Sequence, residues 1–265
     1  MTVHVLPRPH ARPNALLRRL ASLVPLTMDD LLAVSRLTEH VRSAPPGVDL
    51  IQPGLKLDHT IIVLDGFVCR YKIRKDGRRQ NLACLLAGDL SDLDGVIFGR
   101  ATHAAATLSL CTYVQMPVAD LLDLIEHHPR VTRALRMAKL IDEAIMREWI
   151  MQLGRYSATE RMAHLFCELF VRLQAVGLVQ DGSSYKLPLS QHVLSETLGL
   201  SGVHVNRSLQ ALRQDGWITF KHGRLHIHDL DSLKAHAEFS NDYLGTSFTY
   251  RALPGDPVSA VAAEV

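Results

Sequence analysis

The chain has 265 residues, of which 47% are hydrophobic and 21% are charged. This composition excludes a disordered chain and is typical of one large or two ordinary globular domains. Because 29 Lys and Arg face 27 Asp and Glu, the formal net charge of +2 does not by itself indicate a nucleic-acid partner.

Neither a secretory signal nor a membrane span is predicted. Residues 1–12 carry His and Arg without an apolar segment. The longest apolar runs, such as residues 61–64, are far shorter than the roughly 18 residues of a span. None of the four cysteines forms a C-x-x-C pair, which favours a reduced, cytoplasmic chain without a membrane partner. Cys84 and Cys111 lie on predicted strands, and we expect buried structural thiols there.

The N-terminal half predicts helices followed by short strands. Leucines recur at helical spacing over residues 15–40, with Pro25 as an interruption. Over residues 48–118 the pattern changes to β-branched and alternating residues, with turns such as Asp65–Gly66 and Gly88–Asp89 about every ten residues. This spacing predicts a small antiparallel barrel or jelly roll.

A long helix is predicted from Pro129 to Gly154, because proline suits the first helical turn and nothing breaks the pattern after it. The helix is apolar on two sides, so we expect one side to pack on the chain's own barrel and the other on a second subunit. Burial of both sides within one chain is the alternative. Residues 154–159 are the expected hinge, and a second amphipathic helix follows over 158–176. The first side, expected to face the barrel, consists of Leu135, Ala138, Ile141 and Ile145. The second side consists of Met137, Leu140, Ala144 and Met151.

Residues 187–229 predict two short helices and a β-hairpin. Ser190 can cap a helix that ends before Gly199, and Ser201 can cap a second helix that runs to Gln214. Helix, tight turn, helix and hairpin together make a winged helix-turn-helix. An ordinary αα-hairpin with a solvated polar face is the alternative. The expected buried stripe of the second helix is Val205, Leu209 and Leu212.

The polar face of that second helix has the chemistry of a base-reading surface. Arg can donate bidentately to guanine, and Asn can pair bidentately with adenine. No acid lies between Thr197 and Gln214, so this surface does not repel phosphates. His204, Asn206 and Arg207 are the first candidates for base contact. The predicted DNA-binding residues are Ser201, Gly202, His204, Asn206, Arg207, Gln210 and Lys221.

These residues carry a resemblance to a known family. The segments Leu198-Gly199-Leu200-Ser201 and His204-Val205-Asn206-Arg207, with Asp215-Gly216 after them, resemble the C-terminal DNA-binding domain of the Crp/Fnr family. The order of the upstream turns and of the long helix also resembles that of the family. The resemblance as a whole covers residues 15–237. The resemblance implies an α+β fold with an N-terminal double-stranded β-helix (jelly roll) of the cyclic-nucleotide-binding type, a long dimerisation helix and a C-terminal winged helix-turn-helix.

The resemblance also implies a function that is not enzymatic. It implies a homodimeric transcription regulator that reads a palindromic site in double-stranded DNA and responds to a signal at its N-terminal domain, with RNA polymerase as a further partner. Two alternatives stay open: an effector-independent regulator whose β-domain is a dimerisation scaffold, and a ligand- or protein-interaction module that does not touch DNA. The implied parts are the sensor domain with its N-terminal helices (1–125), the dimerisation helix (126–154), the winged helix-turn-helix (155–240) and a weakly structured tail (241–265).

The recognition helix departs from the family pattern. Gly202 and Val203 stand where Arg and Glu are usual in the nucleotide-responsive branch, whereas the final recognition arginine is retained as Arg207. This difference predicts a different half-site.

The ligand regions depart as well. Gly88–Asp89 replaces the Gly-Glu of the cyclic-nucleotide pocket, and Arg100 and Thr102 are not adjacent, as the phosphate-gripping pair of that pocket is. No cysteine precedes Cys69, so the N-terminal ligands of an iron–sulfur centre are absent. Cyclic nucleotide and iron–sulfur cluster are both disfavoured, and the cofactor and effector stay unknown. No catalytic motif is found, and the hairpin histidines His222, His226 and His228 are expected to be solvated or near phosphate rather than metal ligands.

Overall fold

The computed structural model describes residues 14–91 and 93–245, so the predictions for residues 1–12 and for the tail beyond residue 245 lie outside the described residues. Two four-stranded antiparallel sheets, a long helix and a three-stranded sheet among helices make an α+β fold, as predicted. The first half contains α1 (Ala15–Leu23), α2 (Met28–Leu37), β1 (Val41–Ala44), β2 (Asp49–Ile51), β3 (His59–Asp65), β4 (Val68–Ile73), β5 (Arg79–Leu85), β6 (Leu90–Ser91), α3 (Leu93–Phe98), β7 (Ala104–Thr107) and β8 (Cys111–Pro117). The second half contains α4 (Val118–His127), α5 (Pro129–Arg155), α6 (Ala158–Ala175), β9 (Ser184–Lys186), α7 (Gln191–Leu198), α8 (Gly202–Gln214), β10 (Ile218–Lys221), β11 (Arg224–Ile227), α9 (Leu230–His236) and a 3₁₀ turn (Asp242–Leu244).

The β-domain, strands β1 to β8, is a jelly roll whose sheets have the orders β1-β8-β3-β6 and β2-β7-β4-β5. Strand β3 is buried on both faces. Ile61 and Val63 point into the core between the sheets, whereas Ile62 joins the apolar cluster that the helices share. This double burial explains why β3 reads as a continuous apolar run rather than an alternating one.

The predicted Asp65–Gly66 turn joins β3 to β4 and requires glycine. Gly66 has a φ of +91°, and a Cβ there would lie 2.5 Å from the carbonyl oxygen of Leu110. Both the backbone conformation and the close approach of the β7–β8 loop therefore exclude a side chain at this position.

Helix α5 connects the β-domain to the C-terminal domain. The side predicted to face the barrel is buried, including Leu135, Ala138 and Ile141, while Leu140 and Met151 on the second side are largely exposed. The helix ends at Arg155, within the predicted hinge. Ser157 then caps α6 by accepting a hydrogen bond from the backbone N–H of Glu160, whose carboxylate accepts from the Ser157 N–H in return.

In the C-terminal domain α6 and α8 pack against the sheet of order β10-β11-β9, and α7 packs on α8 and on β5. The prediction of a loop over residues 182–184 is wrong at Ser184, which starts β9 and pairs with His226 of β11. Pairing with a strand distant in sequence, rather than local propensity, makes this short segment a strand. The helices α3, α4 and α9 were not predicted from the sequence.

An aromatic cluster surrounds the hinge. The His164 ring on α6 stacks on Tyr243 at a centroid distance of 6.0 Å and meets the edge of Phe239 at 4.9 Å. The amide nitrogen of Gln152 on α5 donates to Nδ1 of His164 at 3.0 Å. Burial lowers the pKa of this imidazole to about 4, so His164 is neutral at physiological pH.

The free energy of unfolding should decrease in acid because of His164. An unfolded imidazole titrates at 6.5 and the folded one at about 4, so the unfolded state binds more protons between these values and stability falls as the pH drops through them. The whole shift corresponds to on the order of 3 kcal/mol. Urea titrations across this pH window should give a flatter profile for His164→Phe, whose ring binds no proton. Parallel profiles for the two proteins would contradict the assignment.

Candidate nucleic-acid interface

The turn between α7 and α8 is set by local hydrogen bonds. The Ser190 hydroxyl accepts from the N–H of Val193 at 3.2 Å, which starts α7 where the sequence predicts. At the other end, Gly199 has a left-handed φ of 63° and its N–H donates to the carbonyl of Ser195. The left-handed glycine ends α7, and the chain changes direction over residues 199–201 before α8 begins.

Ser201 starts α8 and orders the side chain of His204. Its hydroxyl oxygen accepts from the backbone N–H of His204 at 3.3 Å and lies 2.9 Å from Nδ1 of the same residue. In the tautomer in which this hydroxyl donates to Nδ1, Nε2 of the exposed His204 carries a hydrogen that it can donate to an acceptor outside the protein.

Helix α8 has one buried and one exposed face. The predicted stripe of Val205, Leu209 and Leu212 is buried, as expected. The opposite face is mainly polar and contains no acid, and the nearest acid upstream, Glu196, lies within 4 Å of Arg79 and His192. The exposed residues of α8 are Gly202, Val203, His204, Asn206, Arg207, Gln210, Arg213 and Gln214.

The structure brings six of the seven predicted DNA-binding residues onto this face or its N-terminal cap. Asn206, Arg207 and Gln210 are exposed, and their side chains make no hydrogen bond or ion pair within the part of the chain that the structure describes. Gly202 leaves the first turn without a side chain. Lys221 lies apart, exposed at the end of β10, next to the hairpin turn at His222.

Two further residues of α8 are exposed. Val203 is 61% exposed in the first turn, where its apolar side chain can contact a thymine methyl group. The sequence singled out Val203 as a departure from the family pattern but did not include it among the predicted DNA-binding residues. Arg213 is also exposed, and its guanidinium donates a hydrogen bond to the carbonyl of Phe220 in the hairpin at 3.0 Å.

A cavity of about 280 Å³ lies between the β-domain and α5, and Arg19, Arg70 and Lys72 are among its lining residues. Asp89, which stands in place of the family's pocket glutamate, is 3% exposed and is bound by Arg19 and Arg172. Thr102 lines the cavity next to His103, and Arg100 is not among the lining residues. The acid and the arginine through which that pattern holds the ligand are therefore not presented to this cavity.

The hairpin histidines do not assemble into a metal site. The His226 and His228 rings lie 4.5 Å apart, but Nε2 of His228 is 2.8 Å from the Thr219 hydroxyl. Among residues 14–91 and 93–245, no three His, Cys, Asp or Glu side chains converge as metal ligands would. Over the same residues, no helix combines the length and apolarity that a membrane span requires.

Comparison with known proteins matches both halves of the chain. Residues 41–128 match the cyclic nucleotide-binding domain, and residues 160–236 match the Crp-like helix-turn-helix domain. The chain is 26% identical over 246 residues to the transcriptional activator protein FnrL of Cereibacter sphaeroides, which covers 91% of this chain and 97% of FnrL. It is 29% identical over 167 residues to the nitrogen fixation regulation protein FixK of Bradyrhizobium diazoefficiens, covering 63% of this chain and 69% of FixK.

The fold is also similar to that of solved structures. The structure of FixK2 from Bradyrhizobium japonicum superposes with a TM-score of 0.65 at 23% identity, covering 74% of this chain and 95% of FixK2. A transcriptional regulator of the CRP family from Thermus thermophilus superposes with a TM-score of 0.59 at 18% identity, covering 75% of this chain and 97% of that regulator. At these identities the likeness concerns the fold.

Replacing the α8 cap should destabilise the C-terminal domain. Ser201→Ala removes the acceptor of the His204 N–H and is expected to cost about 1 kcal/mol of unfolding free energy in urea titrations. Ser195→Ala is the matched control, because Ser195 lies within α7 and bonds back to the carbonyl of His192. The control should change stability by a few tenths of a kcal/mol. Equal effects of the two substitutions would show that Ser201 is not an energetic cap.

Proposed function

The chain belongs to the Crp/Fnr family of transcription regulators, and from this premise we propose that it is a homodimer that reads a palindromic DNA site with α8. The observation that carries the proposal is the free polar face of α8. His204, Asn206 and Arg207 project from a helix whose other face is anchored in a core, which is the arrangement that a recognition helix needs in the major groove. Ser201, Gly202 and Gln210 extend this surface, and Lys221 adds a phosphate contact from the hairpin.

The dimer is supported by the exposed side of α5. Leu140, Met146, Ile150 and Leu153 lie on this helix with between 44% and 68% of their surface exposed. A helix of 27 residues, about 40 Å long, rarely leaves such a stripe in water unless a partner covers it. A second copy of α5 would bury the stripe and hold two recognition helices at the half-site spacing of about 34 Å.

A route for a signal is supported by buried ion pairs that cross the hinge. The Arg172 guanidinium on α6 binds Asp89 of the β-domain at 2.5 Å and Glu168 of its own helix at 2.8 Å. The indole N–H of Trp149 on α5 donates to Glu168 at 2.8 Å. A change in the β-domain that moves Asp89 would therefore move α6 and, with it, the winged helix. This coupling favours a signal-responsive regulator over one whose β-domain is only a scaffold.

The proposal includes the division of the chain into a sensor domain (1–125), a dimerisation helix (126–154), a winged helix-turn-helix (155–240) and a tail (241–265). It also includes RNA polymerase as a protein partner, no membrane partner, and a cytoplasmic location. The cytoplasmic location is supported by the cysteines, since Cys69, Cys84, Cys111 and Cys167 are buried free thiols.

Arg207→Ala should weaken binding to the palindrome selected from genomic DNA by about 1–3 kcal/mol and relax the preference at one base position, because a bidentate base contact is lost. Lys221→Gln is the comparison, since loss of one phosphate contact in each of two subunits should weaken binding to all sequences alike and reduce the salt slope by about 1.8. Fluorescence anisotropy and sequencing of selected fragments measure both. Unchanged affinity and an unchanged selected motif for Arg207→Ala would contradict the assignment.

Ile150→Glu should convert the dimer to a monomer, because it places a carboxylate in the middle of the apolar stripe of α5. Sedimentation velocity at micromolar concentration measures the change. Leu55→Glu is the matched control, since Leu55 is similarly exposed but lies in the loop between β2 and β3. A dimer that survives Ile150→Glu would place the interface elsewhere.

A further inference from the structure

A second cationic surface lies outside the helix-turn-helix, on the β4–β5 hairpin. Its tip turns at Gly77, where the N–H of Arg74 donates to the carbonyl of Arg78 at 2.8 Å. The carboxylate of Asp76 is shared by Arg78 at 2.8 Å and Arg74 at 3.6 Å, so one acid faces two exposed arginines. The hairpin surface thus carries five cationic side chains and one acid, the cations being Lys72, Arg74, Lys75, Arg78 and Arg79.

The hairpin is fixed against the helix-turn-helix by polar contacts at the end of α7. The Asn81 amide donates to the Thr197 hydroxyl at 3.0 Å, and these residues are only 1% and 3% exposed. The Gln80 amide donates to the carbonyl of Thr197 at 3.4 Å. Arg79 lies 3.7 Å from the carboxylate of Glu196. Buried hydrogen bonds of this kind define one relative position, so the cationic tip has a fixed place beside the turn that leads into α8.

That place is next to the end of the recognition helix that reads bases. A cleft of about 680 Å³ separates the hairpin from the helix-turn-helix. Arg74 and Arg78 line one side, and His192 and Ser201, the cap of α8, line the other. When the N-terminal turns of a recognition helix enter a major groove about 12 Å wide, the phosphate strands that border the groove run beside those turns.

We propose that the β4–β5 hairpin of the β-domain is a second DNA-binding element, which grips the phosphate backbone beside the half-site read by α8. The proposal rests on the proposed function, because it needs α8 in the groove. Arg74 and Arg78 supply the phosphate contacts, with Lys75 at the tip. Because the hairpin is held by Thr197 and Glu196, the β-domain then contributes to DNA affinity directly as well as through the hinge.

The experiment measures the salt dependence of binding to the selected palindrome for the wild type and for Arg74→Gln/Arg78→Gln. Each lost phosphate contact reduces the slope of log K against log salt by about 0.9, so two contacts in each of two subunits should reduce it by about 3.6. Hydroxyl-radical footprints should show protection beyond the α8 contacts in the wild type and lose it in the variant. Arg36→Gln/Arg42→Gln is the matched control, because it removes two cations from α2 and β1 and should leave the slope unchanged.

The outcomes separate this inference from the proposed function. A wild type that shows no salt-dependent DNA binding overturns both. A wild type that binds and is weakened by Arg207→Ala, together with a hairpin variant whose slope and footprint equal those of the control, overturns the hairpin inference alone. In that case the cationic tip would face an acidic protein rather than DNA. Matching thermal unfolding of wild type and variants establishes that a changed slope does not come from misfolding.

Discussion

The arrangement of this protein depends on a group of charges buried where its parts meet. Taking a charge out of water costs several kcal/mol, and the group is stable only when every member keeps its partners. Burial lowers the pKa of Arg19 to about 10, and burial likewise raises the pKa of Glu168 above its ordinary range despite the nearby Arg172. The Asp142 carboxyl is also desolvated, but the guanidinium groups of Arg70 and Arg19 outweigh this and hold its pKa below the ordinary value. The group consists of Arg19, Arg70 and Arg172 with Asp89, Asp142 and Glu168.

These charges come from elements that are far apart in sequence. Arg19 lies on α1, Asp142 on α5 and Arg172 on α6, while Asp89 follows the turn before β6. If one element moves, at least one buried charge loses its partner, so the N-terminal helix, the β-domain, the long helix and the C-terminal domain move together or reorganise together. A fold with this constraint has discrete arrangements rather than continuous ones, which is what the proposed route for a signal requires.

The same group includes Asp89, the residue that replaces the glutamate of the Gly-Glu pair expected in a cyclic-nucleotide pocket. Here Asp89 is shorter by one methylene, accepts from the backbone N–H of Leu86 at 2.7 Å and is enclosed by Arg19 and Arg172. Its charge therefore holds the protein together. The β5–α7 contact through Asn81 and Thr197 adds a second connection between the domains, and it brings the cationic hairpin beside the recognition helix.

The sequence by itself determined the features that depend on neighbours along the chain. Ser190, Gly199 and Ser201 act on residues within four positions, so their caps and turn could be read directly, and the periodicity of α8 separated its buried from its exposed face. The tertiary structure decided the features that depend on partners far away along the chain. Ser184 belongs to a strand because it pairs with β11, and the exposed Arg213 donates a hydrogen bond to the carbonyl of Phe220 in the hairpin. The buried charge group and the cationic hairpin beside α8 could not be read from local patterns, because an arginine that pairs across 83 residues, as Arg172 does with Asp89, looks the same in sequence as one that faces water.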